Sequence, residues 1–338
     1  MKYETSYAFA HYLQYGLRLK DREEFEFSGM DLGNVIHSAL ELFGRQVREM
    51  QDANGAPLSW VTIDDAQRDS LAQKCVIDAA QVYNPVLLHD SARNEYQIKR
   101  MQRLMTTSVW ALQNQLARGD FNPTEFEVDF RDVTDLSTVN LHLPDGAKMM
   151  LTGRIDRLDT CRIDGKTYVK IIDYKTGGMS FDMTAVYYGL QLQLVVYLNA
   201  ALEMYERDGA VAEPAGIFYY QINDPIEDFE AGDTVETIRQ RVLRDMKASG
   251  IVSDDPAAVG HLDKTLGPGN QKSDVIPVEL KKDGSFSARS KTVSSDGFRL
   301  ISAYVNNKIR DIGACILEGD ADINPYVYKN RTACDFCP

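Results

Sequence analysis

The chain has 338 residues, 44% hydrophobic and 26% charged, a composition that excludes wholesale disorder. It holds no apolar run near the roughly 20 residues that a bilayer span needs, and its N-terminus is too polar and acidic for a signal peptide, so we expect a cytoplasmic protein without membrane contact. The net charge of −13 argues against a broadly basic surface, yet it leaves room for a local basic groove and for carboxylates that a cation neutralises.

Helical periodicity dominates the first 120 residues. Apolar residues recur at helical spacing over residues 31–51, and the same pattern predicts helices over 64–82 and 92–116. Gly119 to Pro123 then ends the pattern. This part of the chain is therefore predicted to be helical.

The period changes to two in the next section, which indicates strands. Phe126, Val128 and Phe130 alternate with acidic residues, and strands are predicted over 139–143 and 149–158 with a turn at 144–146. A further strand over 168–174 is entered through a turn at Asp164 and Gly165.

One long helix from about 183 to 205 and a strand over 215–222 are expected next. Residues 224–294 are rich in Gly, Asp and Ser and are predicted to be irregular, apart from a helix near 233–248. A last helix over 294–317 precedes an extended tail from residue 324. The order of elements predicts an α/β fold built around one mixed sheet.

Three polar residues on two of these strands are the main candidates for chemistry. Asp156 ends the run Gly153–Asp156, and Asp173 and Lys175 end the following strand. Alternation along a strand places Asp173 and Lys175 on the same face and Tyr174 on the other. If the two strands pair in register, two carboxylates and one amine converge, which suits a Mg²⁺ ion and a lysine that orients and helps to deprotonate a water molecule.

A plainer interpretation of the same residues is a solvated strand end in which Asp156 pairs with Arg154 or Arg157. Two further features favour the chemical interpretation. Gln193 and Tyr197 are four residues apart and share a helix face just after the second strand. His37 follows Gly33 and Asn34 at the start of the first long helix, although a single histidine there is more often a capping or packing residue.

This ordered set of motifs resembles the RecB-type branch of the PD-(D/E)XK nucleases, and within it the AddB-type nuclease domains of bacterial helicase-nucleases. Residues 11–20, 30–33, 214–225 and 323–338 also look like that family, so the resemblance covers nearly the whole chain. It implies a restriction-endonuclease-like fold, in which helices flank a central mixed β-sheet and a helical elaboration precedes it. One domain is expected over residues 1–338, with a helical part (1–120), a catalytic sheet and helix (121–222), and an irregular region with a closing helix and tail (223–338).

The resemblance also implies roles for the matched residues. A Mg²⁺ ion, which Mn²⁺ can replace, would be bound by His37, Asp156, Asp173 and the main-chain carbonyl of Tyr174. Lys175 would be the catalytic lysine, while Gln193 and Tyr197 would position a DNA strand or support the site. Glu127 matches a less constant acidic position and is either part of the site or a surface residue.

AddB-type domains often hold a 4Fe–4S cluster with one N-terminal cysteine and three C-terminal ones. Cys334 and Cys337 match the first two of the C-terminal group, whereas Tyr7 occupies the place of the N-terminal cysteine and the third would lie beyond Pro338. Two thiolates do not hold such a cluster, so we expect none here. The remaining cysteines are expected to be buried, reduced residues: Cys75, Cys161 and Cys315.

No phosphate-binding loop of the Gly-x-x-x-x-Gly-Lys-[Ser/Thr] type occurs, so ATP-driven unwinding is not expected of this chain. The resemblance implies an excised domain that digests single-stranded DNA ends beside a helicase-nuclease partner of AddA type. Basic residues on the third helix are candidate DNA contacts, although they also suit a solvated face: Arg93, Lys99, Arg100 and Arg103. Weaker candidates are Lys281, Lys282, Arg289 and Lys291.

The sequence thus predicts a Mg²⁺-dependent DNA exonuclease domain. Two alternatives remain open at this point. One is a non-catalytic DNA-binding or scaffold module that retains the nuclease fold, and the other is a metal-dependent hydrolase that acts on something other than DNA.

Overall fold

The computed structural model describes residues 12–18, 29–84, 91–133, 136–143, 146–225, 227–228, 232–322, 326–329 and 331–332. The α-helices within these ranges are α1 (Gly29–Glu49), α2 (Asp65–Tyr83), α3 (Ala92–Leu116), α4 (Met183–Tyr187), α5 (Gln193–Arg207), α6 (Val235–Asp245), α7 (Pro256–Leu262) and α8 (Ser295–Leu317). The strands are β1 (Asn122–Asp129), β2 (Asn140–His142), β3 (Lys148–Met150), β4 (Arg154–Ile163), β5 (Lys166–Lys175), β6 (Val211–Gln221), β7 (Ser249–Ser253), β8 (Thr292–Val293), β9 (Val327–Tyr328) and β10 (Arg331–Thr332).

Six strands form the central sheet in the order β1-β4-β5-β6-β7-β8. The pairs β1–β4, β4–β5 and β6–β7 are antiparallel, whereas β5–β6 and β7–β8 are parallel. The chain crosses from β5 to the parallel strand β6 through α4 and α5, as a parallel pair requires. The predicted α/β fold with one mixed sheet flanked by helices is confirmed.

Helices cover both faces of this sheet. On one face α1, α2 and α3 pack together over residues such as Phe126, Ile172 and Phe218. On the other face α5 and α8 cover Ile155, Ile171 and the rest of a second buried cluster. Because both faces are covered, β5 in the centre is almost wholly buried, and polar groups on it must find partners inside the protein.

The helices predicted from periodicity over the first 120 residues agree closely with the structure. Asp64 caps α2 by accepting a hydrogen bond from the Gln67 amide, and Ser91 caps α3 in the same manner through the Asn94 amide. These caps satisfy amides that have no partner within the helix, which fixes where each helix begins.

Two predictions are wrong, because one predicted strand and one predicted helix are each divided into two elements in the structure. The strand expected over 149–158 is divided at residues 151–153: β3 pairs with β2 in a small separate sheet, while β4 joins the central sheet. The helix expected over 183–205 is divided into α4 and α5 by Gly189, whose φ of +82° ends a helix. The Gln191 side chain then closes the intervening loop, since it accepts from the Asp182 amide and donates to the Ser180 carbonyl.

Residues 224–294 contain more regular structure than predicted. Besides α6, they include the strands β7 and β8, of which β8 forms the edge of the sheet, and the short helix α7. These elements are short and take their stability from the sheet edge that they join, so their local sequence signal is weak. The expectation for Cys315 is also wrong: Cys75 and Cys161 are buried, but Cys315 is exposed.

Candidate active site

The predicted chemical residues meet at one end of the sheet, where β5 ends and β4 begins. The antiparallel register pairs Arg157 with Ile172, so Asp156 follows directly beyond this pair on the side of Asp173. His37 reaches this end from α1, and Gln193 reaches it from the first turn of α5. Helix layers on both faces thus contribute to the site.

Asp156 is bound to the backbone of β5 and to His37. Its Oδ2 atom accepts a hydrogen bond of 2.6 Å from the Tyr174 amide, and the same oxygen lies 3.2 Å from His37 Nδ1. Neither neighbouring arginine pairs with Asp156, because Arg154 lies 3.2 Å from Glu127 and Arg157 binds Asp159. The plainer interpretation of Asp156 as an arginine partner is therefore not what the structure shows.

Asp173 and Lys175 form a buried ion pair on the α5 face of the sheet, with 1% and 7% of their surface exposed. Lys175 Nζ also lies 3.4 Å from Gln193 Oε1 and 5.2 Å from the centre of the Tyr219 ring. Its ammonium group is thus held between a carboxylate, an amide oxygen and an aromatic face, which restricts it to one position.

Three possible metal-ligand atoms lie close together beside this ion pair. One atom each from His37, Glu127 and Asp156 falls within 4.8 Å of the other two. Glu127 reaches the group from β1, where its backbone has a φ of +51°, an unusual conformation for a residue that is not glycine. Asp173 lies outside this group of three, and its carboxylate contacts Lys175.

The carboxylates of the site perturb one another. Burial together with the charge of Asp156 raises the pKa of Glu127 to about 7 and that of Asp173 to about 6. Burial lowers the pKa of the His37 imidazole, but the Asp156 carboxylate beside it offsets this effect and the pKa is raised overall. Neighbouring carboxylates repel one another when they are ionised, and a bound cation would remove this repulsion.

Gln193 and Tyr197 connect the lysine to the interior of the fold. Gln193 Nε2 donates a 2.6 Å hydrogen bond to the Tyr197 hydroxyl oxygen, and Tyr197 is buried against Phe130 with its ring perpendicular to it. A Cβ atom on Gly153 would lie 3.3 Å from both rings, so a glycine suits this position. The buried Tyr197 is placed to hold Gln193 rather than to meet a ligand in solvent.

The predicted DNA contacts lie on exposed surfaces. Arg93, Lys99, Arg100 and Arg103 are all exposed on α3. Arg103 forms an ion pair with Asp224, and the weaker candidates Lys281, Lys282, Arg289 and Lys291 are exposed as well. Cys334, Cys337 and Tyr7 lie outside the described residues.

Sequence reasoning did not identify two features around the site. One is Tyr219, which the parallel register of β5 and β6 places opposite Asp173. The other is a buried ionic cluster behind the site, in which Arg157 and Lys170 both bind the fully buried Asp159. Arg157 also donates to the Tyr174 hydroxyl and so anchors the strand that carries the site. Alternation of charged and apolar residues along β4 gave no sign that these charges are buried.

Comparison with known proteins identifies the family of this chain. A profile that describes the PD-(D/E)XK nuclease superfamily matches residues 5–338. The chain belongs to the PD-(D/E)XK nuclease superfamily.

Among curated proteins, this PD-(D/E)XK chain is similar to proteins named as one of the subunits of an ATP-dependent helicase/deoxyribonuclease. It is 36% identical over 331 residues to the one from Clostridioides difficile strain 630 and 36% identical over 330 residues to the one from Clostridium perfringens strain 13. The relative from Clostridium botulinum strain Hall is 35% identical over 331 residues. Each alignment covers 97% of this chain but only 28% of the relative, so the chain spans less than a third of their length.

In the part of the chain that the structure describes, we find no helix both long enough and apolar enough to cross a membrane.

Proposed function

We propose that this chain is a metal-dependent DNA nuclease domain. In its finer form the proposal is a Mg²⁺-dependent exonuclease domain that hydrolyses phosphodiester bonds in single-stranded DNA, as part of a bacterial helicase-nuclease that prepares DNA ends for recombinational repair. The observation that carries it is the placement of three ligand atoms within 4.8 Å of one another, directly beside the ion pair of Asp173 and Lys175.

The residues present suit a divalent cation. One imidazole nitrogen and two carboxylate oxygens are available from His37, Glu127 and Asp156, and hard carboxylate oxygens favour Mg²⁺ or Mn²⁺. The Tyr174 carbonyl is a further candidate, because the amide and the carbonyl of a strand residue point the same way and this amide points at Asp156. A cation bound there would stabilise charge on the phosphate and lower the pKa of a bound water molecule.

Asp173 and Lys175 would act next to this group. The Asp173 carboxylate is a fourth possible ligand, and its contact with Lys175 keeps the ammonium at the site. The Lys175 ammonium has three donors, of which the structure engages those that face Asp173 and Gln193. We propose that the remaining donor orients a water molecule or a phosphate oxygen when substrate is bound, which is the role of a catalytic lysine.

The names of the relatives and the surface charge support the proposed substrate and partner. The relatives are named as a subunit of a helicase/deoxyribonuclease, which supports DNA as the substrate and a second subunit, for which we propose the AddA type. The exposed basic residues of α3 give this acidic chain a local surface for phosphates, which binds without regard to sequence.

A cleavage assay on linear single-stranded DNA tests the proposal. The chain should release nucleotides with Mg²⁺ or Mn²⁺ and should lose activity in EDTA. Asp173→Ala and Lys175→Ala should each reduce the rate by at least about 100-fold, whereas the exposed control Asp296→Ala should not. Cleavage that persists in both site variants would remove the assignment of the active site.

Isothermal titration separates this proposal from a non-catalytic scaffold. If the chain is a nuclease, Mn²⁺ should bind the wild type and should bind more weakly after His37→Ala. No heat of binding for Mn²⁺ or Mg²⁺ would instead favour a DNA-binding or scaffold module that retains the fold.

A further inference from the structure

The basic face of α3 carries an exposed tyrosine at its centre. Successive residues of an α-helix are rotated by about 100°, so Arg93, Lys99, Arg100 and Arg103 span an arc of about 120°. On the same scale Tyr96 falls near the middle of that arc. Glu95 lies just outside it, beside Lys99. Asp224 neutralises part of the charge through Arg103, and Arg93 also has a partner within the chain. A positive surface with one aromatic ring in it results.

The Tyr96 ring is open to solvent. Its exposed fraction is 61%, and among the described residues it stacks on no other ring and no cation lies over it. Two other exposed tyrosines have partners: Tyr83 donates to Asp31, and Tyr187 stacks on Tyr304 with the two planes 9° apart. An unpartnered aromatic ring among arginines has both faces available to a planar ligand.

This surface lies at the end of the protein that holds the site. The helices α2 and α3 run antiparallel, since Gln102 contacts Gln73 while Gln113 binds Arg68. The first turns of α3 therefore lie beside the last turn of α2, where Tyr83 binds Asp31 near the beginning of α1.

A second link runs through β6. Arg103 pairs with Asp224, and two residues before Asp224 the Ile222 amide binds the Lys175 carbonyl at 2.8 Å. Both ends of the basic face are thus tied to elements that carry the site, so a strand bound on α3 would lie at the same end of the protein as Lys175.

We propose that Tyr96 stacks on a base of a single DNA strand whose phosphates are bound by the surrounding basic residues of α3. Arginines bind phosphate oxygens irrespective of sequence, and an aromatic ring adds affinity for any unpaired base. Bases in a duplex are already stacked on their neighbours, so this residue favours single strands. The inference rests on the proposed function only for the nature of the substrate and concerns binding, not cleavage.

The test compares binding of two fluorescein-labelled probes of equal length, oligothymidylate and its abasic counterpart, by anisotropy in EDTA. Wild-type protein should bind the thymidylate strand about tenfold more tightly, as expected for one base stacked on an aromatic ring. Tyr96→Leu should remove this preference, and Tyr96→Phe should retain it. Arg100→Ala should weaken binding of both probes to the same degree, because it removes a phosphate contact.

Tyr187→Leu is the matched control, because Tyr187 is 60% exposed, and it should leave both affinities unchanged. The inference is overturned if Tyr96→Leu keeps the preference for bases, if it weakens binding of a blunt duplex as much as that of the single strand, or if the wild type binds neither probe. Circular dichroism of each variant excludes misfolding. The outcome is independent of cleavage: a chain that shows the Tyr96-dependent preference but never cuts DNA would contradict the proposed function alone.

Discussion

Replacing Glu127 with glutamine should stabilise the metal-free protein while it weakens metal binding. Burial and the charge of Asp156 raise the pKa of Glu127 from 4.5 to about 7. The folded protein therefore holds this proton more tightly than the unfolded chain does, and stability falls as the pH rises from 4.5 to 7 and stays low above it. At pH 8 the raised pKa of Glu127 lowers the free energy of unfolding by about 3 kcal/mol, because the pKa rises by about 2.5 and a change of one in pKa corresponds to about 1.36 kcal/mol.

Glutamine has almost the same shape and carries no charge, so it removes this cost. We expect Glu127→Gln to raise the free energy of unfolding by about 1–3 kcal/mol at pH 8, since part of the gain is offset by the weaker contact with Arg154. At pH 5 the group is protonated in the folded wild type and the gain should fall below about 1 kcal/mol. Urea unfolding in EDTA, monitored by circular dichroism, measures the change in the free energy of unfolding at pH 8 and at pH 5.

Saturating Mn²⁺ should reverse the order of stability, because a ligand that binds only the folded state stabilises it and the variant lacks one ligand. Glu125→Gln is the control: Glu125 lies two residues earlier on β1, outside the group of metal-ligand atoms, and should change stability by no more than about 0.5 kcal/mol. A Glu127→Gln variant that is less stable than wild type in EDTA at pH 8, or a gain that is equal at pH 5 and pH 8, would refute the reasoning.

Two further predictions follow from the charges around the site. Metal affinity should fall about tenfold between pH 8 and pH 6, because the raised pKa of Glu127 leaves only about a tenth of this carboxylate ionised at pH 6, while about half of Asp173 is ionised there. Titration of Mn²⁺ in two buffers of different ionisation enthalpy should show proton release, and an affinity independent of pH would contradict the ligand set. Arg157→Met should destabilise the fold by about 3 kcal/mol or more in urea unfolding, because it leaves the buried Asp159 without its bidentate partner. The exposed control Arg162→Met on the same strand should have little effect on stability. Equal losses of stability in the two variants would disprove the buried ion pair.

Local sequence determined the amphipathic helices, each of which buries its apolar side, and the residues at which they begin. Apolar residues at helical spacing predicted α1, α2, α3 and α8, and the caps Asp64 and Ser91 agree with their first residues. The same reasoning failed where a helix is interrupted without a change in the spacing of its apolar residues. Gly189 lies in a stretch that remains helical in pattern, and its left-handed backbone lies at the start of the loop of residues 188–192 that separates α4 from α5.

The candidate site likewise contains residues that the sequence revealed and contacts that only the packing of the fold revealed. That Asp173 and Lys175 share a face was evident from alternation along one strand, because a strand repeats every two residues irrespective of its partners, and the ordered set of motifs added Asp156. The position of Glu127 relative to His37 and the burial of Asp159 between Arg157 and Lys170 were not, since they depend on how β1, α1 and β4 pack. Local interactions decide periodicity and caps, whereas distances between distant side chains, and with them the raised pKa values, exist only once the sheet and both helix layers have assembled.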